Sequence, residues 1–154
     1  MLVLPALLSC ARAPAPPPPP DFAAERAAVT QVINQNIGWA ANRDTTLLFG
    51  TNAHDSTFFI QNPDSTSIVG YQAFRDMALR AWVNTDFRGV RYEIRDLRLN
   101  LSRNADVAWF SAKLDDIGML RGRTVGWLNV RWTGVLEKQE GRWVFVQMHF
   151  SFPR

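Results

Sequence analysis

The stretch from Trp132 to Pro153, WTGVLEKQEGRWVFVQMHFSFP, constrains the fold more than any other part of the chain. Two runs rich in Val, Leu, Phe and Trp flank Gln139-Glu140-Gly141. A short polar loop containing Gly, set between two runs of β-formers, is the signature of a β-hairpin. With those three residues as the loop, Lys138 faces Arg142, Leu136 faces Val144, Gly134 faces Val146, Trp132 faces Met148 and Val130 faces Phe150. Because side chains alternate with period two, this face is apolar nearly throughout and belongs to a core. The opposite face pairs Glu137 with Trp143, Val135 with Phe145, Thr133 with Gln147, Arg131 with His149 and Asn129 with Ser151. It is mixed in character.

Upstream, the periodicity is first helical and then extended. Asp21 is placed to cap a long amphipathic helix through Ala41, with Phe22, Val29, Val32, Ile33, Ile37 and Ala40 at helical spacing. Asp44 caps a short second helix, Asp55 to Gln61 reads as a strand, Asn62-Pro63-Asp64-Ser65 as a turn and Ser67-Ile68-Val69 as a brief strand. After Gly70, Ala73, Phe74, Met77, Ala78, Ala81 and Trp82 form the stripe of a third helix. From Arg88 the chain turns to strands. Val90, Tyr92 and Ile94 are apolar at even positions but Leu97, Leu99 and Leu101 at odd ones, so a β-bulge near Arg95-Asp96 is needed to keep both halves buried. Asp106 to Asp116 follows, then a loop around Gly118 to Gly122, and Thr124 to Lys138 leads into the hairpin. Helices followed by a run of antiparallel strands make the class α+β.

The 154 residues, 47% of them hydrophobic, suit one globular domain with a real core. The net charge of +3 is carried almost wholly by Arg, with Lys113 and Lys138 as the lysines. That excess falls short of a nucleic-acid footprint, and Arg88, Arg91, Arg95, Arg98 and Arg103 are split between faces by the bend. No nucleic-acid partner is expected.

The first residues stand apart from the domain. Met1 to Leu8 is apolar but shorter than the roughly 20 residues of a membrane span, and it ends in Leu7-Leu8-Ser9-Cys10. This resembles a bacterial lipoprotein signal, which implies lipidation at Cys10, residues 1–10 as signal, and an extracytoplasmic, lipid-anchored protein of the cell envelope. The basic start of such a signal is missing and the apolar run is short, which suggests an upstream start codon or a truncated gene model. Cys10 is the single cysteine, so neither an intrachain disulfide nor a cysteine-cluster zinc site is expected. ARAPAPPPPP, within the 11–21 linker, reads as an extended polyproline spacer rising about 3.1 Å per residue.

The order of elements from Phe22 to Pro153 carries a further resemblance. Asp44 opens the second helix, His54-Asp55 precedes the first strand, Gly70 precedes the third helix, and Arg131-Trp132-Thr133 leads to Gly141-Arg142-Trp143 and His149-Phe150-Ser151. This resembles the SnoaL-like branch of the nuclear transport factor 2-like superfamily. The resemblance implies a domain over residues 22–154, a curved antiparallel sheet wrapped around three helices, a conical apolar pocket, and often a homodimer packed through the sheet. The superfamily includes ketosteroid isomerase, polyketide cyclases, dehydratases and a kinase association domain, so it implies a fold more narrowly than an activity.

Isomerase or cyclase chemistry needs a base in an apolar cavity and a donor facing the developing oxyanion. Two bases are candidates. Asp116 is in phase with Ala108, Phe110, Ala112 and Leu114 and would sit at the rim of the cone, with Asp115 pointing the other way. His149 lies across from Arg131, alongside Gln147 and Ser151, where a hydrogen-bonded subunit contact competes with catalysis. Asp116 also reads as a strand end entering a loop, and His54 as a local junction. Neither histidine has metal-ligand spacing, and no metal or cofactor is expected. Six Trp and ten Phe suit an aromatic-lined pocket, for which Val130, Trp132, Met148 and Phe150 are the candidate lining. Since no base and donor pair stands out, binding of a small apolar or aromatic molecule is the first expectation. A cofactor-free isomerase, cyclase or dehydratase is the alternative, and a dimeric assembly module a third.

Overall fold

The computed structural model describes residues 18–153, so Cys10 and its signal lie outside the described residues, as does the linker as far as residue 17. Helix α1 (Phe22–Asn42) begins where the prolines end, with the Asp21 carboxylate accepting from the Ala23 and Ala24 amides. Its first-turn N–H groups have no partner within the helix, and a capping carboxylate supplies one. Asp44 caps α2 (Thr45–Gly50) in the same way. Two three-residue strands, β1 (Phe59–Gln61) and β2 (Ser67–Val69), precede α3 (Tyr71–Ala78), which runs on into a π-helical turn, Leu79–Val83. The long strands β3 (Arg88–Leu101), β4 (Val107–Leu120), β5 (Arg123–Gln139) and β6 (Arg142–Ser151) complete the chain.

The six strands form one sheet in the order β2-β1-β6-β5-β4-β3. The class is α+β, with the sheet curved around the helices. Pairing is antiparallel except between β1 and β6, which run parallel. The core lies on the concave face, where Val29 and Ile33 of α1 meet Phe110, Leu114, Val130, Trp132, Leu136 and Phe145. Glu25 fastens α1 to the hairpin, accepting from the indole Nε1 of Trp143 at 2.8 Å and from Lys138 Nζ.

The hairpin forms, with a different register. Its loop is two residues, Glu140 and Gly141, both at positive φ, so Gln139 pairs with Arg142 and Leu136 with Phe145. Two left-handed residues match the twist of the flanking strands, and this favours the tighter turn over a three-residue loop. Val146 is then an extra residue in β6, and beyond it Trp132 faces Phe150 and Gly134 faces Met148. The two shifts together preserve the alternation, so Val130, Trp132, Met148 and Phe150 still share the inner face. Arg131 faces Ser151 and Thr133 faces His149; the expected Arg131–His149 cross-strand pair does not form. Strand β4 also runs on to Leu120, leaving only Arg121 and Gly122, both at positive φ, as the turn where a longer loop was expected.

The expected bulge in β3 is present. Register shifts between Arg95 and Arg98, with Asp96 at φ 53°, and Leu97 and Leu99 then turn toward the core. A second irregularity between Gly89 and Arg91 leaves Val90 exposed and lets Gly89 lie against Ala40 of α1, where a Cβ would come within 2.8 Å.

Candidate functional site

Between the concave face and the helices lies a cavity of about 690 Å³. Trp39 from α1, Trp82 from the π-helical turn and Phe87 form one aromatic wall, with centroids 5.8, 6.0 and 6.2 Å apart. Trp127 and Phe150, 5.1 Å apart, form another. Leu48, Ile60, Phe74 and Met148 close the depth, while the exposed residues Asp64, Thr66, Ser67, Arg80 and Arg121 mark the mouth. Volume and lining suit a small, largely apolar molecule.

The first wall depends on Arg43, the left-handed residue that ends α1. Its guanidinium donates to the carbonyls of Val83 (2.7 Å), Thr85 (3.1 Å) and Phe87. Those three contacts bind the segment bearing Trp82 and Phe87 to the end of α1. In the sequence, Arg43 reads only as a residue where a helix stops.

The second wall depends on a bulge. From Leu114↔Val130 to Asp116↔Trp127, β5 advances three residues while β4 advances two, with Asn129 at φ 54°. Inward positions on β5 change from even to odd there, so Trp127 and Val125 line the cavity and Leu128 is turned out, 56% exposed. Asp115 holds this bulge from the outer face. Its carboxylate accepts from the Asn129 amide at 2.7 Å and from Arg95 at 3.1 Å, the latter beside the bulge in β3. One nearly buried carboxylate on the central strand thus braces irregularities on both neighbours.

The guanidinium of Arg95, and then the Asn129 amide, hold Asp115 down at about 2, below its ordinary 3.8. A depressed acid stabilises the fold above its unfolded value and loses that contribution as pH falls through the folded one. The brace is therefore expected to fail between about pH 4 and pH 2. Asp115→Ala is expected to lower stability at neutral pH and shift Trp127 emission to the red. Unchanged emission would show that the bulge holds itself.

Asp116 lines the cavity, on the opposite face of β4. It lies within the strand, four residues before the end at Leu120, rather than at a strand-end rim. Tyr92 on β3 and Trp127 on β5 are its cross-strand neighbours. Among the described residues its carboxyl has no ion pair, and burial alone raises it from 3.8 to about 6. Such a group titrates near neutrality, the property a general base or a charge-sensitive binding site requires. Gly126 lies across the same ladder at φ +120°, and a Cβ there would fall 2.0 Å from the Asp116 carbonyl oxygen. Only glycine lets the strands close beside the carboxyl.

Asn36 is the other polar group at depth. Asn52 Nδ2 donates to the Leu48 carbonyl (2.7 Å), so its Oδ1 faces Asn36, whose Nδ2 donates to it (3.2 Å) and to Thr51 Oγ1 (2.9 Å). The amide hydrogens of Asn36 are thereby committed, and the carbonyl oxygen is what it has left to offer.

Of the candidate pocket residues, Met148 and Phe150 line the cavity; Val130 and Trp132 are fully buried in the core beside it. His149 lies half-buried on the outer face with Gln147 and Ser151, away from Asp116 and the cavity, so the structure does not bring the two candidate bases together. Arg131, also on the outer face, donates to the Phe152 carbonyl at 2.5 Å. His54 stacks on Tyr71 at 3.9 Å and places Nε2 3.0 Å from the Phe49 carbonyl oxygen, outside this cavity. Among the described residues no group of three His, Cys, Asp or Glu is placed to hold a metal ion, and no helix is long and apolar enough to cross a membrane.

A curved six-stranded sheet closed by three helices over an aromatic cavity is the nuclear transport factor 2-like fold. Solved structures share the fold: a type 2 hexachlorocyclohexane dehydrochlorinase (LinA) has 17% identity and a TM-score of 0.69, covering 87% of this chain and 88% of that one. A superfamily protein from Salmonella enterica has 16% identity and a TM-score of 0.68, covering 86% and 93%. A nuclear transport factor 2-like protein from Pseudomonas putida has 18% and 0.64, covering 86% and 89%. The chain belongs to the SnoaL-like domain family, whose model matches residues 29–154. No curated protein sequence matches it.

Proposed function

We propose that this chain is a binding protein for a small apolar or aromatic molecule, held in the cavity between the two aromatic walls. The observation that carries the reading is a cavity of about 690 Å³ walled mainly by aromatic and aliphatic side chains, on which the Asp116 carboxyl and the Asn36 amide oxygen are acceptors. A proton-abstracting enzyme needs a base and also a donor for the oxyanion. Asp116 meets the first need. Asn36 has no hydrogen left for the second.

A second reading, a cofactor-free isomerase, cyclase or dehydratase, keeps the support of Asp116, whose raised proton affinity suits a base at neutral pH. Fold likeness to a dehydrochlorinase does not carry that chemistry here; the carboxyl in the cavity does. We further propose tethering to a cell-envelope membrane through lipidated Cys10, on the lipoprotein-like Leu7-Leu8-Ser9-Cys10, and homodimer formation through the outer face of the sheet. On that face Arg131, Gln147 and Ser151 lie with Trp109, 47% exposed.

Native mass spectrometry of the full chain purified from membranes tests these readings together. The expected spectrum is a dimer, carrying acyl mass at Cys10 and a stoichiometric small molecule. A missing acyl mass removes the tether, a monomer removes the sheet contact, and an empty cavity that also refuses added aromatic probes removes the binding reading. Steady turnover of the molecule found, abolished in Asp116→Asn, would favour the enzyme.

A further inference from the structure

The chemical class of the ligand follows from what the cavity offers, and this inference rests on the binding reading above. An unpaired carboxyl facing an apolar cavity keeps its desolvation penalty until it takes up a proton or meets a counter-charge. The second polar group at depth, Asn36, also presents only an acceptor, because Asn52 and Thr51 take both hydrogens of its amide. The Asp116 carboxyl and the Asn36 amide oxygen are therefore two acceptors on the cavity wall, and a ligand that engages both must donate. Ring faces supply the rest of the surroundings. Trp127 is the cross-strand neighbour of Asp116 and lies 5.1 Å from Phe150, with the Trp39–Trp82–Phe87 wall on the same cavity. The negative face of an aromatic ring attracts a cation and gives a hydroxyl far less.

We propose that the ligand is an apolar amine, bound as its ammonium ion with N–H groups directed at Asp116 and Asn36 and its cationic head against the ring of Trp127. The other charged groups lining the cavity are Asp64, Arg80 and Arg121. All three are exposed at the mouth, where salt screens charges over about 8 Å at physiological ionic strength. The Asp64 carboxylate already accepts from the Thr66 amide and hydroxyl. Burial raises Asp116 to about 6. From α1 and β6 the cavity receives no charged side chain, and from β3 the neighbour of Asp116 is Tyr92.

Three probes of one shape and different charge separate the possibilities: 1-naphthylmethylamine, 1-naphthylmethanol and 1-naphthoate, titrated calorimetrically into the full-length protein at pH 7.5. The amine is expected to bind at least tenfold tighter than the alcohol. In Asp116→Asn this preference should fall below threefold. Amine affinity should weaken as pH drops below about 6, where the empty site takes up a proton. If the alcohol binds as well as the amine, the amine assignment fails while the binding reading stands. If the naphthoate binds best, the mouth arginines set the ligand class and the assignment is overturned. If none of the three binds, the binding reading itself falls.

Discussion

Asp116→Asn is expected to make the empty protein more stable at pH 8 and to change its stability far less, by about 0.5 kcal/mol, at pH 4. The carboxyl holds its proton more tightly in the fold, at about 6, than at its ordinary 3.8. A raised acid contributes fully below the unfolded value, and that contribution is lost as pH rises through the folded one. Each unit of displacement corresponds to about 1.4 kcal/mol. Water entering the open cavity reduces the sum, so a gain of about 2 kcal/mol at pH 8 is expected for an amide of the same shape. Paired urea denaturations of both proteins at the two pH values measure it, and the difference between variants cancels the other carboxylates. An equal difference at pH 4 and pH 8 would mean that Asp116 is not held against its charge.

Trp132→Ala is expected to cost about 3–5 kcal/mol, enough to unfold a marginal domain. Trp132 has no exposed surface, and its ring lies nearly parallel to Phe145 and Phe150, each 5.8 Å away, with Phe110 edge-on at 4.9 Å. Removing it strips one wall from each neighbour at once. Its Nε1, however, is buried without a hydrogen-bond partner among the described residues. Trp132→Phe removes that orphaned donor together with part of the ring, and the gain offsets part of the cavity penalty. The expected cost of the Phe variant is about 1 kcal/mol, read from thermal or urea unfolding. Equal losses in both variants would mean that the indole nitrogen is satisfied in solution, for instance by an internal water.

The fold was legible where local chemistry is strong. Asp21 and Asp44 precede helical periodicity and cap the helices, since an unpartnered first-turn N–H is best served by the nearest carboxylate. The change of phase between Ile94 and Leu97 demanded a bulge because one inner face must stay apolar, and the bulge lies there. No comparable signal marks the bulge at Asn129. Leu128 and Val130 continue the apolar alternation across it, and the force that overrides them comes from Asp115 and Arg95 on two other strands. A sequence written in one dimension does not contain that contact.

The same division runs through the site. Asp116, Met148 and Phe150 could be assigned to an inner face because alternation along a strand is local and survives compensating errors of register. The tethers from Arg43, the inward turn of Trp127 and the committed amide of Asn36 could not be read in this way, since each requires residues distant in the chain to meet. The sequence by itself determined the α+β class, the helix starts, the hairpin and the apolar inner face, all of which follow from interactions within a few residues or from period-two patterning. Only the tertiary structure decided that the bulge at Asn129 turns Trp127 into an aromatic cavity beside one carboxyl, because burial and hydrogen-bond satisfaction are properties of the neighbours that folding brings together.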